Sequence, residues 1–436
     1  MDSLTPDQAQ ALWDAGGFLV ITDLPQGSEF GIDGTVHVVR RFSGIKFIPP
    51  GLHLITWSPP TSPTSAAFDT NSDSNVNAGP STIPIRHALL REFRPRERVV
   101  LTYDTKSESV PLIDHADPEG GTAMISDDHL RTLDKEMAPY PFEGLEQWKS
   151  QTNEITSEII RSVLGEDGRV DGLMSVEGEE EDGELKGIKS DLEKMELSSS
   201  AVAVAGGQRT RSMRFPNFDL KRSWRDGAVG EEVTRYSRDK SWLLGNLIKE
   251  LDNDPIKIIA HLQLAFVLLL QLSSYSALLV YKRFLTLLCQ SPSFLSTPPD
   301  YLPSSSDKNI KTIRRLYLSL LHTLSAELEA LPANSFEGEL PEMDLFYLDQ
   351  IESLRKNLAG AMWQSSSSGS AGAGAGAGGE TGWKEGDREV LKSNWNRLRD
   401  VGWKKWNWDI DEITHIVEDD EEEEEEGEYA PVVVEM

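Results

Sequence analysis

Residues 23–58 read DLPQGSEFGIDGTVHVVRRFSGIKFIPPGLHLITWS and decide the fold of the N-terminal part. The stretch alternates turns rich in glycine and proline with short apolar runs such as Val36–Val39 and Leu52–Trp57. Runs of β-branched and aromatic residues favour strands. Pro49-Pro50-Gly51 favours a tight turn, because proline fixes φ and glycine tolerates a positive φ. From these residues we expect an antiparallel meander.

The residues around this stretch extend the β-rich pattern. Thr5–Ala15 predicts a short helix, with Thr5 as N-cap and Pro6 in the first turn, and Phe18–Thr22 predicts a buried strand. Pro59–Pro80 is typical of a surface loop. Ile83–Phe93 and Arg98–Tyr103 predict a hairpin, although His87–Phe93 is also compatible with a helix.

From residue 126 onward the apolar pattern is helical. Residues 126–165 predict two helices broken at Pro139-Tyr140-Pro141. No charged residue occurs from Ile258 to Tyr281, a length compatible with a membrane span, but polar residues interrupt the run and Ser273-Ser274 breaks it into two ordinary helices. Further helices are predicted at Ile310–Leu331, Leu340–Leu358 and Asp387–Asp409.

The charge of the chain is strongly negative. Its 436 residues carry a formal net charge of −29, of which Glu418–Glu428 and Glu166–Glu196 together account for −18. Phosphate contacts need clustered Lys and Arg, so a protein partner is expected rather than nucleic acid. The single cysteine, Cys289, excludes an intrachain disulfide. The N-terminus lacks the pattern of a secretory signal.

Composition also predicts the domain boundaries. We expect a β-rich N-terminal domain over 1–165, an acidic disordered linker over 166–208 and a helical domain over 209–412. Within the helical domain, Ser365–Gly379 is expected to be a flexible insertion, and residues 413–436 an acidic disordered tail. The predicted fold class is therefore α+β, and we expect a monomer.

Motifs for chemistry are weak in this chain. Gly374–Gly379 matches G-x-G-x-x-G literally, but it lies in low-complexity sequence without a preceding strand. His37 and His53 could meet across paired strands, yet a third ligand is not evident, so we predict no metal, no cofactor and no catalytic residue. Two clusters remain open between a structural and a binding role: Arg91, Arg94, Arg96 and Arg98, and Trp395, Trp403, Trp406 and Trp408.

The opening stretch is more specific than its composition. Its pieces DLPQGSEFGID, GIKFIPPGLH and ITWS resemble the N-terminal signature of the A1-cistron splicing factor family, and the tyrosine-proline and tryptophan-lysine pairs near residues 140 and 148 fit the same family. LQLAFVLLLQLSSYSALLVYKRFLTLLC, residues 262–289, resembles the core hairpin of its helical domain, with Gln263 at the glutamine position. The resemblance covers residues 16–409 with three insertions, at 59–80, 166–208 and 365–379.

The resemblance implies a function that composition does not reveal. Members of the family are non-catalytic assembly chaperones of the U5 small nuclear ribonucleoprotein, found in cytoplasm and nucleus. Their helical domain is a superhelix similar to the VHS fold. They bind the large U5 scaffold protein, with the C-terminal tail bridging its RNase H-like and MPN-type domains, and they block premature association of a later subunit.

The C-terminal tail is the predicted binding site. Three consecutive valines follow a tyrosine behind the acidic run, and valine favours strands over disorder. Such a segment is suited to adding a strand to the sheet edge of a partner. The predicted partner-binding residues are Tyr429, Ala430, Val432, Val433 and Val434. A tail that only solubilises the chain is the alternative.

Three other classes of protein stay open at this point. An enzyme whose active site has no local motif is compatible with the sequence. The helical domain could also serve as an adaptor of another complex. The third class is a membrane-associated adaptor, which the long apolar run would permit.

Overall fold

The computed structural model describes residues 12–60, 85–104, 110, 125–177, 211–297, 301–302, 306–338, 340–363 and 385–414. The N-terminal part forms two β-sheets with short helices, and the remainder is helical, which confirms the predicted fold class. The similarity of the helical part to the VHS fold stays a prediction. The end of the predicted first helix, residues 12–15, is helical, and its N-cap lies outside the described residues.

The strands form two sheets. In chain order they are β1 Gly17–Thr22, β2 Glu29–Ile32, β3 Thr35–Val38, β4 Gly44–Ile48, β5 Gly51–Ser58, β6 His87–Phe93, β7 Arg98–Thr102, β8 Met137–Pro139 and β9 Arg169–Asp171. One sheet has the order β7-β1-β4-β8, and the other has the order β3-β2-β5-β6-β9. A core of apolar side chains from both sheets is buried, including Leu19, Ile45, Phe30, Ile55 and Leu89.

Residues 23–58 do not form the single antiparallel meander that the sequence predicted. Strands β2, β3 and β5 pair antiparallel in the five-stranded sheet, but β4 pairs with β1 in the other sheet. Gly44 permits this, because its φ is +143° and a Cβ there would lie 1.9 Å from the carbonyl oxygen of Leu19. The predicted turn at Pro49–Gly51, where Gly51 does have a positive φ, therefore connects strands of different sheets.

The second predicted hairpin is also wrong in its pairing. Residues 87–93 and 98–102 are strands, so the helical alternative is excluded. However, β6 pairs with β5 and β9, whereas β7 runs parallel to β1. The turn between them, with Arg96 at a φ of 62°, carries the chain from one sheet to the other.

The described helices follow the sheets in sequence. Their bounds are α1 Asp127–Leu133, α2 Leu145–Thr152, α3 Ser157–Leu164, α4 Glu231–Arg238, α5 Ser241–Glu250, α6 Ile256–Leu272, α7 Tyr275–Cys289, α8 Pro292–Ser296, α9 Ser306–Ala330, α10 Pro341–Trp363 and α11 Glu385–Trp406. The prediction of two helices over 126–165 misses a strand, β8, and a break at 153–156. Thr156 is the N-cap that begins α3 after this break, because its hydroxyl accepts a hydrogen bond from the Ile159 amide.

The long apolar run is a hairpin of two helices, as predicted. Ser273 has a left-handed φ of 53° between α6 and α7, which ends the first helix. Fourteen of the seventeen residues of α6 are buried. Among the described helices, none combines the length and the hydropathy of a membrane span.

The start of the predicted linker is ordered. Within 166–177, β9 pairs with β6, and Val176 forms a parallel bridge with Met213. The Met213 amide donates to Ser175 O at 2.8 Å, and the Glu177 amide donates to Met213 O at 2.8 Å. Residues 178–208, like the predicted insertion 365–379 and loop 61–80, lie outside the described residues.

The chain divides into two compact units. One unit comprises residues 1–220, 247–285 and 322–331. It therefore holds both sheets together with α6 and most of α7. The other comprises residues 221–246, 286–321 and 332–436.

Candidate interaction sites

The predicted partner-binding residues belong to the tail. Residues 415–436 lie outside the part of the chain that the structure describes. The site at Tyr429, Ala430, Val432, Val433 and Val434 therefore stays a prediction. The described residues offer several other polar and aromatic clusters, which we take in turn.

A buried polar cluster joins the β2–β3 turn to β5 and to the segment after β8. Asp33 accepts hydrogen bonds from the Tyr140 hydroxyl at 2.7 Å and from the Leu54 amide at 2.8 Å, and its Oδ2 lies 2.5 Å from His53 Nδ1. His53 Nε2 lies 2.8 Å from the carbonyl oxygen of Pro49. The side chains of His53 and Asp33 are 1% and 2% exposed, so the cluster is closed to solvent.

This Asp33–His53–Tyr140 cluster has the residue types of a catalytic triad, but its geometry is that of a structural hydrogen-bond network. A carbonyl oxygen can only accept, so the contact with Pro49 O assigns a proton to Nε2. That nitrogen then has no lone pair for a nucleophile. Burial and the neighbouring Asp33 carboxylate raise the pKa of Tyr140 far above its usual value, so its hydroxyl stays a donor.

His37 and His53, which the sequence left able to meet across paired strands, are not brought together. His37 lies exposed on β3, whereas His53 is buried on β5, and β2 separates the two strands. No group of three or more His, Cys, Asp or Glu suited to a metal occurs among the residues placed by the structure. Cys289 is fully buried, and burial raises the pKa of its thiol, which disfavours the thiolate.

Gln263 links three helical segments. Its Oε1 accepts from the Glu154 amide at 3.0 Å, and its Nε2 donates to Asn153 Oδ1 at 2.7 Å and to Thr323 Oγ1 at 3.0 Å. The side chain is fully buried. The glutamine that the sequence resemblance singled out therefore fixes the break between α2 and α3 against α6 and α9.

An open cleft of about 710 Å³ lies beside these two clusters. It runs between β5 and the α2–α3 corner, with Leu52, Trp148, Lys149 and Glu158 among its walls. Trp148 is one of its walls and donates Nε1 to the carbonyl oxygen of Leu52 at 2.6 Å. The carboxylates of Glu92 and Glu158 and the ammonium group of Lys149 line it, so its charge alone does not select one class of ligand.

The four predicted arginines divide into two pairs. Arg91 forms an ion pair with Glu97, and Arg98 with Asp127, so both are structural. Arg94 and Arg96 lie exposed in the turn between β6 and β7. The cluster is therefore not a continuous basic patch.

Three of the four predicted tryptophans pack inside the second unit. Trp395 is fully buried and donates Nε1 to Asp411 O at 2.9 Å, and Trp408 donates to Asp344 Oδ1 at 2.7 Å. Trp406 stacks on Trp408 with ring centroids 6.1 Å apart. Trp403 is the exception, with 58% of its surface exposed.

Two buried ionisable groups lie near the helical hairpin. His261 is 2% exposed and stacks on Phe284, while its Nδ1 has no hydrogen-bond partner among the described residues. Burial, and then the charge of Lys257, lower its pKa to about 4. Glu327 is fully buried and accepts from the Tyr281 hydroxyl at 2.7 Å, and burial raises its pKa well above the usual value.

Sequence comparisons identify the relatives of this chain. The family description "AAR2 N-terminal domain" matches residues 15–165, and "AAR2 C-terminal repeat region" matches residues 215–411. Protein AAR2 homolog of Mus musculus is 27% identical over 345 residues, 76% of this chain and 80% of the relative. The Homo sapiens homolog is 26% identical over 346 residues, with the same coverage. The Caenorhabditis elegans homolog is 23% identical over 354 residues, 77% of this chain and 84% of the relative.

Proposed function

This chain belongs to the AAR2 family, and from that premise we propose that it is a non-catalytic splicing factor that acts as an assembly chaperone of the U5 small nuclear ribonucleoprotein. The observation that carries the proposal is the match of both family regions, in order, over 15–165 and 215–411. The family resemblance of the opening stretch and of the helical hairpin agrees with it. We propose that the chain acts as a monomer, in the cytoplasm and the nucleus.

The proposed partner is the large U5 scaffold protein. The tail residues Tyr429–Val434 would add a strand to it and bridge its RNase H-like and MPN-type domains. A bridge of this kind would keep the scaffold closed to a later subunit. The net charge of −29 supports a protein partner over direct contact with RNA.

The closed geometry of the Asp33–His53–Tyr140 cluster supports a binding role over catalysis by these residues. Each of the two ring nitrogens of His53 already faces an acceptor. A substrate would have to displace Pro49 O from a site that is buried. Catalysis by these residues would thus need a rearrangement of β5.

Affinity for the scaffold tests the proposal. In the full chain, Val432, Val433 and Val434 are changed together to Asp, and binding to the purified RNase H-like and MPN-type domains is measured by calorimetry. Each buried valine contributes about 1.5 kcal/mol before ordering costs, so we expect at least a tenfold loss of affinity. Because none of the three valines belongs to the described core, the variant should remain folded, as measured by circular dichroism.

A matched control makes the same chemical change elsewhere. Val202→Asp with Val204→Asp alters two valines in the predicted linker and should leave affinity at the wild-type value. Equal affinity of the tail variant and the wild type would contradict the tail site. Absence of any binding by the wild-type chain would contradict the proposed function as a whole.

A further inference from the structure

Strand β3 is the edge of the five-stranded sheet. It pairs with β2 and with no other strand in the described part of the chain. Val36 is 38% exposed and Val38 is 64% exposed. Edge strands are usually protected by lysine, proline or a bulge, and the four residues TVHV contain no lysine and no proline. The edge is therefore open to a further strand.

The turn before β3 determines which backbone groups face outward. Asp33 and Gly34 have positive φ values of 49° and 86°, and Ile32 lies opposite Thr35, as in a two-residue type I′ turn. The residues that flank such a turn form a hydrogen-bonded pair, and the pattern then alternates along the ladder. Thr35 and His37 thus direct their backbone groups to β2. The amides and carbonyls of Val36 and Val38 point to the free edge.

Positive charge follows the edge at one end. Arg40 and Arg41 come directly after β3 and are exposed. Val39, just before them, is tied to the β2 side by its amide, which donates to Ser28 O at 2.8 Å. No ion pair of Arg40 or Arg41 occurs with any residue that the structure describes. The strand that fits this edge therefore carries negative charge next to the C-terminal end of β3.

We propose that the tail segment Tyr429–Val434 of this chain adds to β3 as an antiparallel strand when no partner is bound. The tail has β-branched residues behind an acidic run, Glu418–Glu428. In an antiparallel arrangement this run comes to the end of β3 that carries Arg40 and Arg41. A parallel arrangement would place it at the opposite end, beside the β2–β3 turn, which carries no basic residue.

Proline 431 fixes the register of the added strand. It has no amide proton, so its backbone faces away from β3, and so do those of its neighbours at alternate positions. Ala430, Val432 and Val434 then direct their amides to β3. Pairing Val434 with Val36 also pairs Val432 with Val38 and brings Glu428 to the level of Phe42, next to the arginines.

This docking goes beyond the proposed function, because it needs no scaffold protein. It would hold the same valines that the scaffold is proposed to bind, so the scaffold would have to displace the tail from β3. Binding would then be slower and weaker than for a free tail peptide. The test is made on the full chain alone, so its outcome is independent of the proposed partner.

Amide hydrogen exchange at single-residue resolution tests the docking. In the wild-type chain we expect the amides of Val36 and Val38 to exchange at least tenfold more slowly than in the variant Val432→Asp with Val434→Asp. The amide of His37 faces β2 and serves as an internal control, since it should be protected equally in both proteins. Equal exchange of Val36 and Val38 in the two proteins would overturn the proposal.

A charge reversal and a dilution series complete the test. Arg40→Glu with Arg41→Glu should release the two amides, while Arg40→Lys with Arg41→Lys should keep them protected. Protection that is constant from low to high protein concentration supports docking of the chain's own tail. Protection that grows with concentration would assign the added strand to a second copy, and would overturn the proposal.

Discussion

Two buried histidines mark two regions that handle polar groups in opposite ways. In the β-rich region, His53 contacts an acceptor with each ring nitrogen, and Asp33 receives further hydrogen bonds from Tyr140 and Leu54. In the helical hairpin, His261 packs between the rings of Phe215 and Phe284, and its Nδ1 is unpaired among the described residues.

The difference shows how secondary structure limits the pairing of buried groups. Turns and strand ends leave backbone carbonyls and amides free for side chains, and Pro49 O and the Leu54 amide are used in this way. Within a helix the backbone groups are already paired, so a side chain such as His261 must find another side chain or stay neutral. His53 is held by hydrogen bonds, whereas His261 is held by apolar packing, and its titration makes the stability of the hairpin depend on pH.

The largest expected effect tests the hydrogen-bonded region. Asp33→Asn should lower the free energy of unfolding by about 3–5 kcal/mol, because His53, Tyr140 and the Leu54 amide converge on a carboxylate that the amide cannot replace. Urea denaturation at pH 7 measures it. Asp23→Asn is a matched control, since Asp23 also has a left-handed φ of 62° but is exposed. Equal stability of the two variants would show that the Asp33–His53–Tyr140 cluster does not stabilise the fold.

The next effect tests the pH sensitivity of the hairpin. The folded pKa of His261 is about 4, below the unfolded value of 6.5, so its contribution to stability is complete above pH 6.5 and is lost as the pH falls through 4. The wild type should lose about 3 kcal/mol more than His261→Phe over this range. Melting curves from pH 7 to pH 4 measure the difference. His129→Phe, at an exposed position, should leave the pH dependence unchanged, and identical curves for His261→Phe and wild type would refute the prediction.

A smaller effect sharpens the comparison at a polar side chain inside the helices. Gln263→Leu should lower the free energy of unfolding by about 2 kcal/mol, because it leaves the Glu154 amide and the Thr323 hydroxyl without their partner. The exposed Gln147→Leu should change stability by less than about 0.5 kcal/mol. A loss for Gln263→Leu no greater than that of the control would mean that water replaces the glutamine.

The smallest effect is expected from removing one hydrogen bond of the Asp33–His53–Tyr140 cluster. Tyr140→Phe deletes only the hydroxyl that donates to Asp33, which keeps its other two contacts, so we expect a loss of about 1 kcal/mol. Tyr275→Phe, at a residue that is 62% exposed, should be neutral. Thermal unfolding of both variants is sufficient, and a loss as large as that of Asp33→Asn would place the whole energy of the cluster in this one contact.

Local sequence patterns predicted which residues form helices and strands better than they predicted which strands pair. The Ser273 break and the helix that carries Leu316, Leu320, Leu324 and Leu328, all fully buried, follow from periodicity within a short window. The sheet to which β4 or β7 belongs depends on pairing with β1, far along the chain, and turn chemistry at Pro49 or Arg94 carries no information about it. The break at 153–156 was missed because Trp148 and Ile155 continue the same apolar pattern across it.

The candidate sites show the same limit. Gln263 was found by family resemblance, although nothing local distinguishes it from another buried glutamine. The Asp33–His53–Tyr140 cluster was not predicted, since Tyr140 lies 107 residues from Asp33. The sequence indicated this cluster only through Asp33-Gly34 at a hairpin turn and Tyr140 before a proline. Either pattern is explained by turn formation alone.

The bridge between Val176 and Met213 has a consequence for how this chain can change. It holds the two ends of segment 178–210 side by side, with Arg211 paired to Asp167 at the same place. Once the ends are fixed, doubling the length between them costs only about 0.6 kcal/mol of loop-closure entropy. Insertions, deletions or a fluorescent reporter placed there would leave the strands on either side in register. The length and sequence of this segment can therefore change in evolution while the strands on either side keep their fold.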